Sequence, residues 1–118
     1  MSLTITEPMG KVPTFSELQA LALQHHVQIK GGPLNGNFCH PDAEHPKVTG
    51  RYAIESNGNI RGDFTSHVMG KVAGTFAMTT GKAEIIINEK PFLLPEALLK
   101  STLSAALKDF CARFSAST

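Results

Sequence analysis

The chain has 118 residues, a length that fits one domain built around one core. Hydrophobic residues make up 42% of it and charged residues 18%, which is typical of a globular protein and excludes a disordered one. The net charge is only +1, and no basic run or charged tail stands out, so no nucleic-acid-binding surface is predicted.

Residues 1–13 contain two prolines and a glycine without periodicity, and they are predicted to form a flexible segment before a single α+β domain over residues 14–114. They also lack the charged and apolar regions of a secretory signal. No apolar run reaches the ~18 residues of a membrane-spanning helix. The two cysteines, Cys39 and Cys111, are therefore expected to be reduced thiols in a cytoplasmic protein.

The first predicted helix covers about residues 15–25. Thr14 and Glu17 form a capping box, in which each side chain can bond the backbone amide of the other residue. Apolar residues follow at helical spacing, but the segment is short, so packing must stabilise it. A possible short strand over residues 27–30 comes next and ends at the turn residues 31–33.

Residues 37–47 are predicted to form a loop that contains five side chains of the metal-binding types. They are Cys39, His40, Asp42, Glu44 and His45. Their spacing matches no established zinc pattern, so the simpler interpretation is a solvated loop stiffened by two prolines. A metal-dependent enzyme built on Cys39, His40, Asp42 and His45 stays open as an alternative.

The middle of the chain predicts two β-hairpins. Apolar and polar residues alternate over 48–55 and again over 59–65, as in half-buried strands. A two-residue turn would place apolar residues opposite charged ones. A three-residue loop with Gly58 in the left-handed conformation instead pairs Ile54 with Ile60.

The second hairpin joins strands over 72–78 and 83–89, with Phe76 opposite Ile85 and four residues in the loop. Ile85-Ile86-Ile87 is apolar on both faces, which predicts a central strand or one that is covered on both sides. The four strands form an antiparallel β-meander.

The chain then turns at an apolar elbow, Phe92-Leu93-Leu94, between Pro91 and Pro95. A long helix follows, from residue 95 to about 114, before a short tail. Five residues are predicted to lie along the side of this helix that covers the sheet: Leu99, Leu103, Ala106, Phe110 and Phe114. At close to 30 Å, the helix would overhang a four-stranded sheet roughly 15–20 Å wide. The predicted fold is α+β, with a short N-terminal helix and a long C-terminal helix packed on the sheet.

The segment from Gly70 to Ile87, with its Gly74-Thr75 step, followed by Pro91-Phe92-Leu93-Leu94 and the long helix, resembles the polyhydroxyalkanoic acid system protein family. The resemblance covers about residues 68–112. It implies a cytoplasmic bacterial accessory protein whose sheet and helix touch an apolar surface, such as that of a polymer granule, and it supplies no catalytic residues.

The sequence therefore predicts a non-enzymatic binding protein without a cofactor, whose partner is a hydrophobic protein, a second copy of the chain, or a polymer or lipid surface. The predicted contact residues are Phe92, Leu93, Leu94, Leu98, Leu99, Leu103 and Phe110. An alternative is a helix-grip-like carrier of an apolar ligand, with a cavity between helix and sheet. That cavity would be lined by Phe64, Phe76, Ile85 and Phe110.

Overall fold

The computed structural model describes residues 3–40, 44, 46–67 and 70–113. This part of the chain contains seven strands and two helices. In chain order they are β1 (Leu3–Met9), α1 (Phe15–Gln24), β2 (Gln28–Gly31), β3 (Asn35–His40), β4 (Val48–Ile54), β5 (Ile60–Ser66), β6 (Val72–Thr79), β7 (Gly81–Glu89) and α2 (Glu96–Ala112).

All seven strands belong to one antiparallel sheet with the order β1-β7-β6-β5-β4-β3-β2. The predicted four-stranded meander is present as β4 to β7. It is longer than predicted, because β3 and β2 continue it on one side and β1 pairs with β7 on the other. The α+β class is confirmed, and the possible short strand is present as β2.

Two predictions about irregular segments are wrong. The segment predicted to be flexible contains β1, which pairs along its whole length with β7. The prediction failed because Glu7 interrupts the apolar alternation and Pro8 is rare inside sheets, although an edge strand such as β1 tolerates proline. Similarly, residues 37–40 of the predicted loop belong to β3, where pairing with both β2 and β4 overrides the turn-like residues at its start.

The predicted strand registers are confirmed. Ile54 lies opposite Ile60, and Gly58 has a φ of 91° in the three-residue loop between them. Phe76 lies opposite Ile85, but the loop of that hairpin is tighter than predicted because Thr79 pairs with Lys82. With β1 on one side and β6 on the other, β7 is an interior strand, as its three isoleucines predicted.

Four neighbouring strands each carry a glycine followed two residues later by an aromatic residue. The pairs are Gly36 and Phe38, Gly50 and Tyr52, Gly62 and Phe64, and Gly74 and Phe76. Because the strands are antiparallel, each ring lies opposite a glycine of the next strand, so rings and glycines alternate in both directions across the sheet. We call the face that carries them the helix-side face.

The glycines of this pattern make room for the rings. A Cβ atom on Gly62 would lie 2.6 Å from Cζ of Phe76, and one on Gly36 would lie 2.6 Å from the Tyr52 hydroxyl. Glycine inside a strand normally weakens it, and a neighbouring aromatic ring can cover the exposed backbone. The rings of Phe38 and Phe76 also meet edge to face, with their centroids 6.0 Å apart.

Helix α1 begins and ends as its sequence requires. The Glu17 amide donates to the Thr14 hydroxyl (3.2 Å) and the Thr14 amide donates to the Glu17 carboxylate (2.9 Å), which confirms the capping box. At the other end His26 takes a left-handed φ of 60°, and the Val27 amide donates to the Ala22 carbonyl (2.8 Å). This is a Schellman ending with histidine where glycine is usual.

Helix α2 is one continuous helix, as predicted, and it packs on β1 at the edge of the sheet. Its buried residues are Leu99, Leu107 and Cys111. Ala106, predicted on the covered side, is exposed, and Phe114 lies outside the described residues. The buried side of α2 differs from the predicted side because α2 packs on β1, a strand that the sequence analysis did not predict. With seven strands the sheet is roughly 29 Å wide, so it is wider than the four-stranded sheet from which the overhang of the helix was predicted.

Candidate functional site

The structure divides the seven predicted contact residues into an exposed group and a core group. Phe92, Leu93 and Leu98 are 94%, 88% and 52% exposed, and we call these three residues the elbow surface. The other four contribute to the core: Leu99 is buried beside Val72 and Ile87, and Leu94, Leu103 and Phe110 are half-buried against the core clusters. Only three of the seven predicted contact residues are therefore exposed enough to contact a partner.

The elbow is a hydrogen-bonded β-turn. The Leu94 amide donates to the Pro91 carbonyl (3.1 Å), which places Phe92 and Leu93 at the two central positions of the turn. Pro95 then caps α2, and its carbonyl accepts the first helical bond from the Leu99 amide (3.1 Å). Because the following helix is anchored by buried Leu99, the turn has a defined position on the sheet.

Two further residues brace the elbow. The Lys90 ammonium group donates to the carbonyl oxygens of Leu94 (2.8 Å) and Pro91 (3.4 Å), so it bridges both ends of the turn. Gly70, which has a φ of 82°, lies against the Pro91 ring, and a Cβ atom there would be only 2.5 Å from Cγ of Pro91. These contacts hold a rigid turn whose two largest side chains point into solvent.

The charges around the elbow surface nearly cancel. Lys71 and Glu89 form an ion pair of 3.6 Å between half-exposed side chains, which is a weak interaction at the surface. Glu96 lies in the first turn of α2, where a carboxylate is favoured by the helix dipole, and Lys100 follows one turn later. Lys90, Lys100, Glu89 and Glu96 lie close in sequence to the exposed apolar side chains, and its ion pair with Glu89 brings Lys71 near them.

The predicted metal ligands are only partly described. Cys39 and His40 are successive residues of β3, so their side chains point to opposite faces of the sheet, away from a common ion. The Nδ1 atom of His40 lies 3.3 Å from the carbonyl oxygen of His26. Asp42 and His45 lie outside the described residues. Among the residues that are described, no group of three or more histidine, cysteine, aspartate or glutamate side chains is placed to hold a metal.

The two cysteines differ in environment. Cys111 is buried in the core between α2 and the sheet, and burial, together with the negative charge of Glu7, raises the pKa of its thiol. A protonated, buried thiol is a poor nucleophile. Cys111 is therefore a core residue and not a candidate nucleophile. Cys39 is half-buried on the face of the sheet opposite the helix-side face, which we call the outer face.

The outer face of the sheet carries two shallow depressions, of about 510 and 400 Å³. Both are lined by Arg51 and Asp63, whose side chains form an ion pair of 2.9 Å that raises the pKa of the arginine. A third depression, of about 410 Å³, lies near the end of α2 beside Cys111. None of these three is lined by Phe64, Ile85 or Phe110, so they give no support to the predicted ligand cavity.

Sequence reasoning missed the two residues that brace the elbow, Lys90 and Gly70. A lysine directly before Pro91 was a weak signal that it could bond the turn. Gly70 gave no usable signal, because its contact with Pro91 joins loops about 20 residues apart in the sequence. The repeated glycine and aromatic pairs were visible in the sequence, but they define a surface only once the strands are in register.

Comparison of the chain with protein-family models, with curated proteins and with solved structures gave no match. In the part of the chain that the structure describes, neither helix has the length and apolar composition needed to span a membrane.

Proposed function

We propose that this chain is a non-enzymatic accessory protein that binds a hydrophobic partner or surface through Phe92, Leu93 and Leu98. The observation that supports the proposal is the exposure of two adjacent large apolar side chains on a braced turn. Single exposed apolar residues are common on protein surfaces, but Phe92 and Leu93 are adjacent and almost fully exposed, and clustered exposed apolar side chains are typical of interaction sites.

The rigidity of the elbow favours binding over accidental exposure. The turn bond, the two lysine bonds and the Gly70 contact hold the backbone before any partner arrives. A preorganised turn loses little conformational freedom on binding, so more of the gain from burying Phe92 and Leu93 contributes to affinity. A disordered loop of the same composition would lose much more conformational freedom on binding.

The resemblance of residues about 68–112 to the polyhydroxyalkanoic acid system protein family adds two parts to the proposal. The first is a bacterial, cytoplasmic setting, and the second is a partner that includes the surface of polymer granules. The elbow and α2 both lie within the resembling segment.

The test is adsorption of the purified chain to apolar particles, together with binding of an environment-sensitive hydrophobic dye. A Phe92→Ser, Leu93→Ser variant is expected to lose most of both signals. The matched control is Leu34→Ser, because Leu34 is also an exposed leucine (71%) but lies at the β2–β3 hairpin, at the opposite end of the sheet. Equal adsorption by all three proteins would overturn the proposal.

A further inference from the structure

We infer that α1 is a lid, which opens as a unit while the sheet and α2 stay folded, and whose opening uncovers the rings of Phe38 and Tyr52 on the helix-side face. The lid is separate from the elbow surface, so it is a second property of the fold and not part of the proposed function. Three properties of α1 support it: its weak packing on the sheet, its low stability in isolation, and its position over the two rings.

The packing of α1 is much weaker than that of α2. None of the ten residues of α1 is buried, whereas α2 buries Leu99, Leu107 and Cys111. Leu21 packs against the core cluster that contains Leu107, but it is itself only half-buried, and Leu23 is 81% exposed. An element with few buried apolar contacts opens at a lower free energy than the core of the same protein.

Helix α1 is also too short to be stable away from the sheet, because isolated helices of fewer than ~12–15 residues are marginal in water. At its start, the ion pair of Lys11 with Glu17 (3.3 Å) joins solvent-exposed side chains, and such pairs contribute little. At its end, His26 has a left-handed φ of 60°, which is unfavourable for a residue with a Cβ atom. When α1 leaves the sheet it therefore unfolds, and its backbone amides lose their hydrogen bonds.

Contacts at its two ends place α1 over the rings of β3 and β4. The ring of Phe15 lies with its centroid 6.3 Å from that of Tyr52, which pairs near the start of β3. At the other end, the carbonyl oxygen of His26 lies 3.3 Å from Nδ1 of His40, the last residue of β3. Phe38 lies between these two contacts, and its side chain points to the same face as Tyr52. Opening of α1 therefore exposes an aromatic surface that the closed form partly covers.

The experiment is hydrogen exchange of the full chain, followed amide by amide by NMR in water and in low concentrations of urea. Each buried apolar side chain of α2 that α1 lacks contributes roughly tenfold, so we expect the protection factors of residues 18–24 to be at least about a hundredfold lower than those of residues 103–111. Exchange in α1 should change little in low urea, because local opening exposes little surface. Equal protection and equal urea dependence in both helices would overturn the inference.

A variant of α2 separates opening of the lid from unfolding of the whole chain. Leu99 lies in a core cluster that includes no residue of α1, so Leu99→Ala destabilises the closed and open forms equally. It should leave exchange in α1 unchanged while it accelerates exchange in α2 about thirtyfold or more. Equal acceleration in both helices would mean that α1 opens only when the whole chain unfolds, and the lid would be refuted. The urea comparison on the wild type decides the question even if Leu99→Ala fails to fold.

A matched pair of variants within α1 tests its packing. Leu21→Ala should accelerate exchange in α1 about tenfold, because Leu21 packs against a core cluster. Leu23→Ala should leave exchange nearly unchanged, because that side chain is already exposed. An equal effect of the two changes would contradict the packing on which the lid depends.

Discussion

Replacing Gly62 with alanine tests the alternation of rings and glycines on the helix-side face. The new Cβ atom would lie 2.6 Å from Cζ of Phe76 and would press on the carbonyl oxygen of Arg51. Ordinary contact requires 3.4 Å or more, so the ring must move by roughly 1 Å. It has little room to do so, because it also packs against Phe38.

Overpacking of this kind costs about 1–3 kcal/mol, and alanine returns roughly 0.5–1 kcal/mol by restricting the unfolded chain. The expected net loss is therefore about 1–2 kcal/mol in the free energy of unfolding. For a chain of this size that corresponds to a fall of roughly 4–8 °C in the thermal midpoint. Urea unfolding followed by circular dichroism measures the first quantity, and calorimetry the second.

The matched control is Gly32→Ala, because a Cβ atom on Gly32 would meet nothing within 4 Å and the residue does not need a positive φ. It should leave stability unchanged or raise it slightly. Combining Gly62→Ala with Phe76→Leu should cost less than the sum of the two single changes, since the smaller side chain relieves the overlap. If Gly62→Ala is as stable as Gly32→Ala, the ring does not lie over this glycine and the packing argument is refuted.

Three further predictions concern the helices, each measured by urea unfolding. His26→Gly should stabilise the chain by about 0.5–1 kcal/mol, because the left-handed backbone there strains a residue with a side chain; a loss of stability would contradict this. Glu17→Gln should be less stable than the wild type at neutral pH. The amide of Thr14 lowers the Glu17 pKa, so the carboxylate stabilises the fold above its ordinary pKa and loses that effect as the pH falls through the lowered value, where the two proteins should converge. Leu99→Ala should cost about 2–5 kcal/mol and Leu98→Ala less than about 1 kcal/mol, and similar losses would mean that α2 is rotated differently.

The strands that the sequence predicted correctly are those whose alternation is strong. In β4 to β7, one face is apolar along most of each strand and the turns contain glycine, so both the strands and their registers follow from the pattern. The edge strand β1 was missed because one glutamate and one proline suffice to hide a short alternation. In β3, Asn35, Gly36 and Asn37 favour a turn locally, and only pairing with both neighbours makes them a strand.

The candidate site was predicted as a set of apolar residues but not as a shape. Periodicity shows that α2 has an apolar side, but it does not fix which residues face the sheet, and this is why Ala106 was misplaced and Leu107 is buried instead. Which apolar residues stay exposed depends on where the sheet ends relative to the elbow. That position is set by contacts between residues that are far apart in sequence, such as the contact of Gly70 with Pro91.

The most direct test of the central claim, that the elbow is the contact surface, uses a tryptophan placed on it. The chain has no tryptophan, so Phe92→Trp gives a single fluorescent reporter at a solvent-exposed position. On addition of apolar particles, we expect a blue shift of the emission from the Phe92→Trp variant and none from a Leu34→Trp control. Emission that stays at the wavelength of exposed tryptophan while the chain is bound, or an equal shift in the control, would contradict the claim.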